Sequence, residues 1–145
     1  MQFKPVYALI AGLVIGAAWI SNCSAADDQA TKDENTVVGA CMVQKFTERT
    51  PAISEATINK CADVDSSVMP KCLGLSDDEY VGFAKFCVTQ LINAKCVAAK
   101  MKTPLMQYAD CGYEKDPAAC YKQLGFTMDQ VVKLSTDCQS EVAKK

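Results

Sequence analysis

The sequence predicts an all-α protein, a compact bundle of about five or six short helices cross-linked by four disulfides. From Thr36 onward, apolar residues recur at helical spacing, and no segment shows the strict alternation that indicates a half-buried strand. Cysteines are frequent, with 9 among 145 residues. In an oxidising compartment such cysteines pair, and each disulfide typically adds about 2 to 4 kcal/mol to the stability of a small domain.

The first 26 residues resemble a secretory signal peptide. Lys4 precedes an uncharged run of 15 residues, VYALIAGLVIGAAWI, which is shorter than a membrane-spanning helix needs. Small residues between Cys23 and Ala26 suit cleavage by signal peptidase. We therefore expect residues 1–26 to be removed and the mature protein to be secreted, into the extracellular space or into the periplasm if the source is bacterial.

Cys23 has a second interpretation. The stretch Ile20-Ser21-Asn22-Cys23 resembles a bacterial lipobox, in which the cysteine becomes the lipidated first residue of an outer-membrane lipoprotein, although Asn22 departs from the small residue usual there. Only under this interpretation do we expect the protein to be attached to a membrane. Under either interpretation Cys23 is not available to form an internal disulfide. The cysteines that remain for four disulfides are Cys41, Cys61, Cys72, Cys87, Cys96, Cys111, Cys120 and Cys138.

The mature chain is expected to begin with a flexible acidic tail over residues 27–35, followed by a single helical domain over residues 36–145. The tail is polar and has no apolar periodicity. The first helix is predicted at about 36–49. The second is predicted at 51–61, because Thr50 can cap it and Pro51 suits a first helical position.

The third helix, at about 77–93, has the clearest start signal. Ser76 can accept a hydrogen bond from the amide of Glu79 while the Glu79 side chain reaches back, which closes a capping box. Leu75 just outside the helix and Tyr80 just inside it can form the accompanying hydrophobic staple.

The fourth and fifth helices are predicted at about 97–111 and 117–124. Pro104 is a candidate break in the fourth, because proline removes an internal donor and clashes with the preceding turn. Asp116 can cap the fifth helix, and Gly125 suits its C-terminal end.

The sixth helix, at about 128–142, repeats the signals of the third. Thr127 and Gln130 form the capping box, and a cysteine again follows the cap by 11 residues. These matches indicate a weak internal repeat of about 25 residues. A repeat of this size cannot bury its apolar face alone, so its copies should pack together.

The composition excludes most hydrolytic enzymes, because the chain contains no histidine. Serine and cysteine hydrolases, HExxH metalloproteases and histidine-dependent ribonucleases all need an imidazole that exchanges protons near neutrality. Glycoside hydrolysis by two carboxylates would need a long cleft, for which a short helical chain offers little room. We expect no catalytic residue and no enzymatic activity.

We expect this protein to bind no metal, no cofactor and no nucleic acid. No close cysteine pair of the kind used by zinc sites is present. The stretch from Asp63 to Gly74 begins like a calcium loop but lacks the glycine at its sixth position and the glutamate at its twelfth. Lysines are scattered and the net charge is −2, which does not favour a nucleic-acid partner.

The predicted function is a secreted, non-enzymatic binding protein, with a carrier of a small apolar ligand as the leading hypothesis. Methionine adapts to irregular ligands, and a disulfide-linked helical shell can enclose one. An ordinary solid core would show the same apolar stripes. The candidate lining residues are Met42, Phe46, Phe83, Leu91, Met101, Leu105, Met106, Phe126, Val131 and Leu134.

The alternative is a secreted module that binds another protein, such as an effector, a venom component or a surface factor. The size, the helix count and the closing stretch Cys111-GYEKDPAA-Cys120 are similar to those of insect odorant-binding proteins, which are six-helix, disulfide-linked carriers with an apolar pocket. That resemblance implies the carrier function. The Cys-x-x-x-Cys pair of the family is absent here, so we assign no membership.

Overall fold

The computed structural model describes residues 25–145, and over this range the chain is all-helical, with four cysteine pairs at disulfide distance. The predicted fold class is therefore confirmed. Most of the predicted leader, including Cys23, lies outside the described residues. The helices are α1 (Ala25–Glu48), α2 (Glu55–Cys61), α3 (Met69–Leu73), α4 (Asp77–Met101), α5 (Leu105–Gly112), α6 (Pro117–Gln123) and α7 (Met128–Ala143).

The chain divides into two compact units, which we call the first unit and the second unit. The first unit ends at Val88 and the second comprises Thr89–Lys145, so the boundary falls inside α4. The sequence had predicted one domain over residues 36–145. α4 supplies its N-terminal half to the first unit and its C-terminal half to the second.

Each unit contains two disulfides, and both cysteines of each disulfide belong to the same unit. In the first unit one disulfide joins α1 to α4 and the other joins α2 to α3. In the second unit the matching disulfides join α4 to α7 and α5 to α6. The pairs are Cys41–Cys87, Cys61–Cys72, Cys96–Cys138 and Cys111–Cys120.

The second unit repeats the helix order of the first. A long helix is followed by two short helices and a second long helix, and the disulfides join the long pair and the short pair in each unit. Ser76 and Thr127 cap the last helix of each unit, and Cys87 and Cys138 follow them by 11 residues. These equivalent positions lie 51 residues apart, so the structural repeat is about twice as long as the one inferred from the sequence.

Each unit ends its second short helix with the same glycine turn. Gly74 and Gly125 have φ angles of 72° and 88°, in the left-handed region. The amide of each glycine donates to the carbonyl three residues back, at 3.1 and 3.0 Å, and the next amide, of Leu75 or Phe126, donates five residues back, at 2.9 and 3.0 Å. This Schellman motif satisfies carbonyls that the helix end leaves free and turns the chain toward the next helix.

The segment expected to be a flexible tail, residues 27–35, is helical in the structure and forms the start of α1. Its first part is exposed, so packing contributes little there. The side-chain amide of Gln29 donates to Asp33 Oδ1 at 2.8 Å, a contact across one helical turn that supports helix without a core. Because these contacts are made by polar side chains, the sequence of this segment has no apolar periodicity from which the helix could be predicted.

α2 begins later than predicted, and α3 was not predicted. Ser54 rather than Thr50 is the cap of α2, since its hydroxyl accepts from the amide of Thr57 at 3.2 Å. α3 is only 5 residues long. A helix of that length is too short to show a periodic pattern and depends on the disulfide and the glycine turn at its end.

α4 continues through the polar stretch that the sequence suggested as a loop after residue 93. Asn93 and Ala94 are buried there, so tertiary packing keeps the chain helical. The break comes at residues 102–104, as Pro104 had indicated. Lys102 has a φ of 53°, and the amide of Thr103 donates back to the carbonyl of Ala98 at 3.0 Å.

Two glycine substitutions in the first unit should have opposite effects on the free energy of unfolding. Gly74→Ala should lower it by about 1 kcal/mol, because an L side chain is strained at a left-handed φ. Gly82→Ala should raise it by about 0.5–1 kcal/mol, because Gly82 lies inside α4 and an added Cβ meets nothing within 4 Å. Chemical denaturation followed by circular dichroism measures both, and equal effects would contradict the assigned turn.

Candidate functional site

Three aromatic side chains meet in the interior of the first unit, and we call them the aromatic cluster. Phe46 on α1 is fully buried, and its ring centroid lies 6.3 Å from that of Tyr80 and 6.1 Å from that of Phe83. Tyr80 and Phe83 share one face of α4 because they are three residues apart. The disulfide between Cys41 and Cys87 holds this face of α4 against α1. The rings are within the range of favourable aromatic contacts.

The hydroxyl of Tyr80 is the one polar group of the aromatic cluster. Tyr80 is 9% exposed, and its Oη is buried with no hydrogen-bond partner among the residues that the structure describes. Burial raises the pKa of Tyr80, so the hydroxyl stays protonated at neutral pH and keeps a proton to donate. An unpaired hydroxyl inside a protein typically costs about 1–3 kcal/mol.

Beside Tyr80 in sequence, Glu79 forms an ion pair with Arg49. Arg49 Nε donates to Glu79 Oε1 at 2.6 Å, and Nη2 donates to Oε2 at 3.1 Å, so the pair is bidentate. The predicted capping box is therefore only partly correct. The amide of Glu79 does donate to Ser76 Oγ, at 3.1 Å, but both carboxylate oxygens bind Arg49. The hydrogen bond from Arg49 lowers the pKa of Glu79.

In the second unit, each member of the aromatic cluster has an aliphatic counterpart at the equivalent position, counted from the disulfide cysteines and the cap residues. Two of the counterparts are buried in one core cluster with Val97 and Tyr121, and the third packs against that cluster. The second unit thus has neither an aromatic ring nor a hydroxyl at these three positions. The equivalent pairs are Phe46 with Met101, Tyr80 with Val131, and Phe83 with Leu134.

Two polar side chains in the interior of the second unit, those of Asn93 and Tyr121, donate hydrogen bonds within that unit. Asn93 Nδ2 donates to Ser135 Oγ at 2.9 Å, while Asn93 Oδ1 is buried with no partner among the described residues. Tyr121 Oη donates to the carbonyl of Tyr108 at 3.4 Å, and burial is the main cause that raises the pKa of Tyr121 to about 12.

The ten predicted lining residues are divided between the two units. Met42 and Phe46 are fully buried in the first unit, and Phe83 is partly buried beside Phe46. Seven belong to the second unit, where Met101 and Val131 are core residues and Phe126 and Leu134 pack against them. The seven are Leu91, Met101, Leu105, Met106, Phe126, Val131 and Leu134.

Sequence reasoning used Tyr80 only as part of a hydrophobic staple and missed its hydroxyl. A signal was present, because the repeat places Val131 at the equivalent position. The repeated unit has a valine at this inward-facing position, so the fold does not require a hydroxyl there. A tyrosine at the equivalent position therefore indicates that its hydroxyl has another role.

In residues 25–145, no three histidine, cysteine, aspartate or glutamate side chains are grouped as a metal ion would need. Over the same range, no helix has the length and apolar character to cross a membrane.

The described chain is thus an all-α, disulfide-linked protein built from two similar units, and three aromatic positions in the core of the first unit are occupied by non-aromatic residues in the second. The chain matches no protein-family model, no curated protein and no solved structure.

The ion pair between Arg49 and Glu79 should make stability depend on acid pH. The pKa of Glu79 is lowered in the folded protein from its usual value of 4.5, so its contribution is present above that pH and is lost as the pH falls through the lowered pKa. Thermal melts at a series of pH values should therefore show Glu79→Gln destabilised at pH 7, with the difference from wild type shrinking in acid.

The control for this prediction is a double-mutant cycle with Arg49→Gln. Once Arg49 is replaced, the carboxylate has no bidentate partner, and Glu79→Gln should have little further effect at any pH. An equal effect of Glu79→Gln with and without Arg49 would show that the ion pair does not cause the pH dependence.

Proposed function

We propose that this is a secreted, non-enzymatic binding protein that carries a small apolar ligand. The observation that carries the proposal is the aromatic cluster of the first unit, whose one hydroxyl, on Tyr80, is buried and has no partner in the described chain. Ligand sites are mostly apolar and aromatic with a few placed polar groups, and the cluster has that composition. Met42, fully buried on α1, adds an adaptable side chain to the same unit.

Four disulfides are compatible with an extracellular protein. All eight cysteines of the described chain are paired, and disulfides persist where the surroundings are oxidising. This supports secretion, either outside the cell or into a periplasm. The lipoprotein alternative depends on Cys23, and the intact mass of the natural protein would reveal a lipidated start there.

The carboxylates whose pKa values are shifted support a role without catalysis. Arg49 lowers the pKa of Glu79, Lys100 lowers the pKa of Glu141, and hydrogen bonds from the serine two residues on lower the pKa of Asp65. A general acid needs the opposite shift, so that it holds a proton near neutral pH. The ion pair of Glu79 links α4 to the residue that follows α1, and the ion pair of Glu141 links α7 to α4.

A protein-binding role is the second candidate, and it is favoured by an apolar pair on α7. Met128 and Val132 are 42% and 53% exposed and lie one turn apart, on the same side of the helix. Exposed apolar side chains that are neighbours can contribute to an interface with another protein.

The carrier proposal can be tested with N-phenyl-1-naphthylamine, a neutral apolar probe whose fluorescence rises in apolar surroundings. The wild-type protein should bind it, and Phe83→Asn should weaken binding roughly tenfold, because an amide replaces an apolar contact. Leu134→Asn, the equivalent change in the second unit, is the matched control and should leave the affinity unchanged.

Native mass spectrometry of gently purified protein provides an independent measurement, in which a co-purified small molecule supports the proposal. Failure of the wild-type protein to bind the probe, together with the absence of a co-purified molecule, would reject the carrier function and leave protein binding as the better candidate.

A further inference from the structure

We propose that the Tyr80 hydroxyl is the polar anchor of the ligand site, donating a hydrogen bond to the carbonyl oxygen of a neutral apolar molecule such as a ketone, aldehyde or ester. The inference rests on the proposed carrier function and gives the site a ligand class. It starts from a hydroxyl that is buried in the aromatic cluster and unpaired in the described chain.

The position of Tyr80 could be occupied without a hydroxyl. The other two members of the cluster, Phe46 and Phe83, are both phenylalanines. A phenylalanine in place of Tyr80 would therefore supply the same ring packing. A phenylalanine would avoid the cost of leaving a buried hydroxyl unpaired. The hydroxyl is therefore explained better by a partner outside the described chain than by packing.

The second unit provides an internal comparison. Val131 stands at the position equivalent to Tyr80, four residues after the cap, and it is buried in a core cluster. The helix α7 around it still forms its capping box and its disulfide. The repeated framework therefore forms without a hydroxyl at this position, and the hydroxyl is a specific property of the first unit.

The other buried polar atoms are weaker candidates. Asn93 already donates one hydrogen bond to Ser135, and exchanging the two ends of its amide would still leave that bond in place. Asn35, whose Oδ1 also lacks a partner in the described chain, is a partly exposed residue. Tyr80 is almost completely buried, and its hydroxyl has no hydrogen-bond partner in the described chain. The other two rings of the aromatic cluster are apolar.

The chemistry around Tyr80 selects a neutral acceptor. Because burial keeps the phenol protonated, its hydroxyl can donate. A carboxylate ligand would need a cation, yet the guanidinium of Arg49 already binds both oxygens of Glu79 and the carbonyl of Pro51. An unpaired carboxylate in apolar surroundings is far more costly than a carbonyl.

The test compares decan-2-one with undecane, which has a similar length and no acceptor, as competitors of N-phenyl-1-naphthylamine. In Tyr80→Phe, the ratio of ketone affinity to hydrocarbon affinity should fall roughly 2- to 10-fold from its wild-type value, the range expected for one neutral hydrogen bond. Hydrocarbon affinity should not change. The ligand-free variant should melt at or above the wild-type temperature, because no hydrogen bond of the described chain is lost.

Tyr121→Phe is the matched control in the second unit. It removes a hydroxyl that does have a partner, the carbonyl of Tyr108, so it should lower the melting temperature and leave the affinity ratio unchanged. Tyr80→Leu gives a second variant without a hydroxyl in case Tyr80→Phe folds poorly.

The possible failures are distinguishable. If the wild-type protein binds the probe but Tyr80→Phe keeps the wild-type affinity ratio, the Tyr80 anchor is rejected and the carrier function is not. If the wild-type protein does not bind the probe, the carrier function itself fails, and the anchor fails with it.

Discussion

The structure depends on the disulfide that joins the two long helices of each unit. Cys41–Cys87 and Cys96–Cys138 close loops of 46 and 42 residues, whereas the disulfides between the short helices close loops of 11 and 9. A longer closed loop removes more freedom from the unfolded chain, so the long-helix disulfides are expected to stabilise more. They also place the core-facing residues of the two helices opposite each other, which is why equivalent positions can be compared between units.

The two units use one framework but differ at three equivalent core positions. In the second unit, Met101, Val131 and Leu134 occupy the three positions equivalent to the aromatic cluster, and Asn93 and Tyr121 donate hydrogen bonds within the unit. In the first unit, aromatic rings occupy those positions, and the Tyr80 hydroxyl has no partner in the described chain. The disulfides and the glycine turns are alike in both units, so the difference does not come from the framework that they form.

Local signals were predicted well where chemistry acts over a few residues. Thr127 and Gln130 form the expected capping box, and the glycine expected at residue 125 ends α6. Glu79 and Gln130 each follow a cap residue by three positions, but only the Gln130 side chain bonds back to the cap. The negatively charged Glu79 instead forms an ion pair with Arg49, which lies 30 residues away in sequence. No local pattern contains that partner, so the sequence could not show that the side chain leaves the cap.

The sequence by itself determined the all-α class, the use of eight cysteines in four disulfides and the ends of several helices, because helical periodicity, cysteine parity and capping are local properties. Only the tertiary structure decided which cysteines pair, that two similar units share α4, and that the lining residues separate into two interiors. These depend on contacts between residues far apart in sequence. The unpaired hydroxyl of Tyr80 became visible only when its surroundings were known.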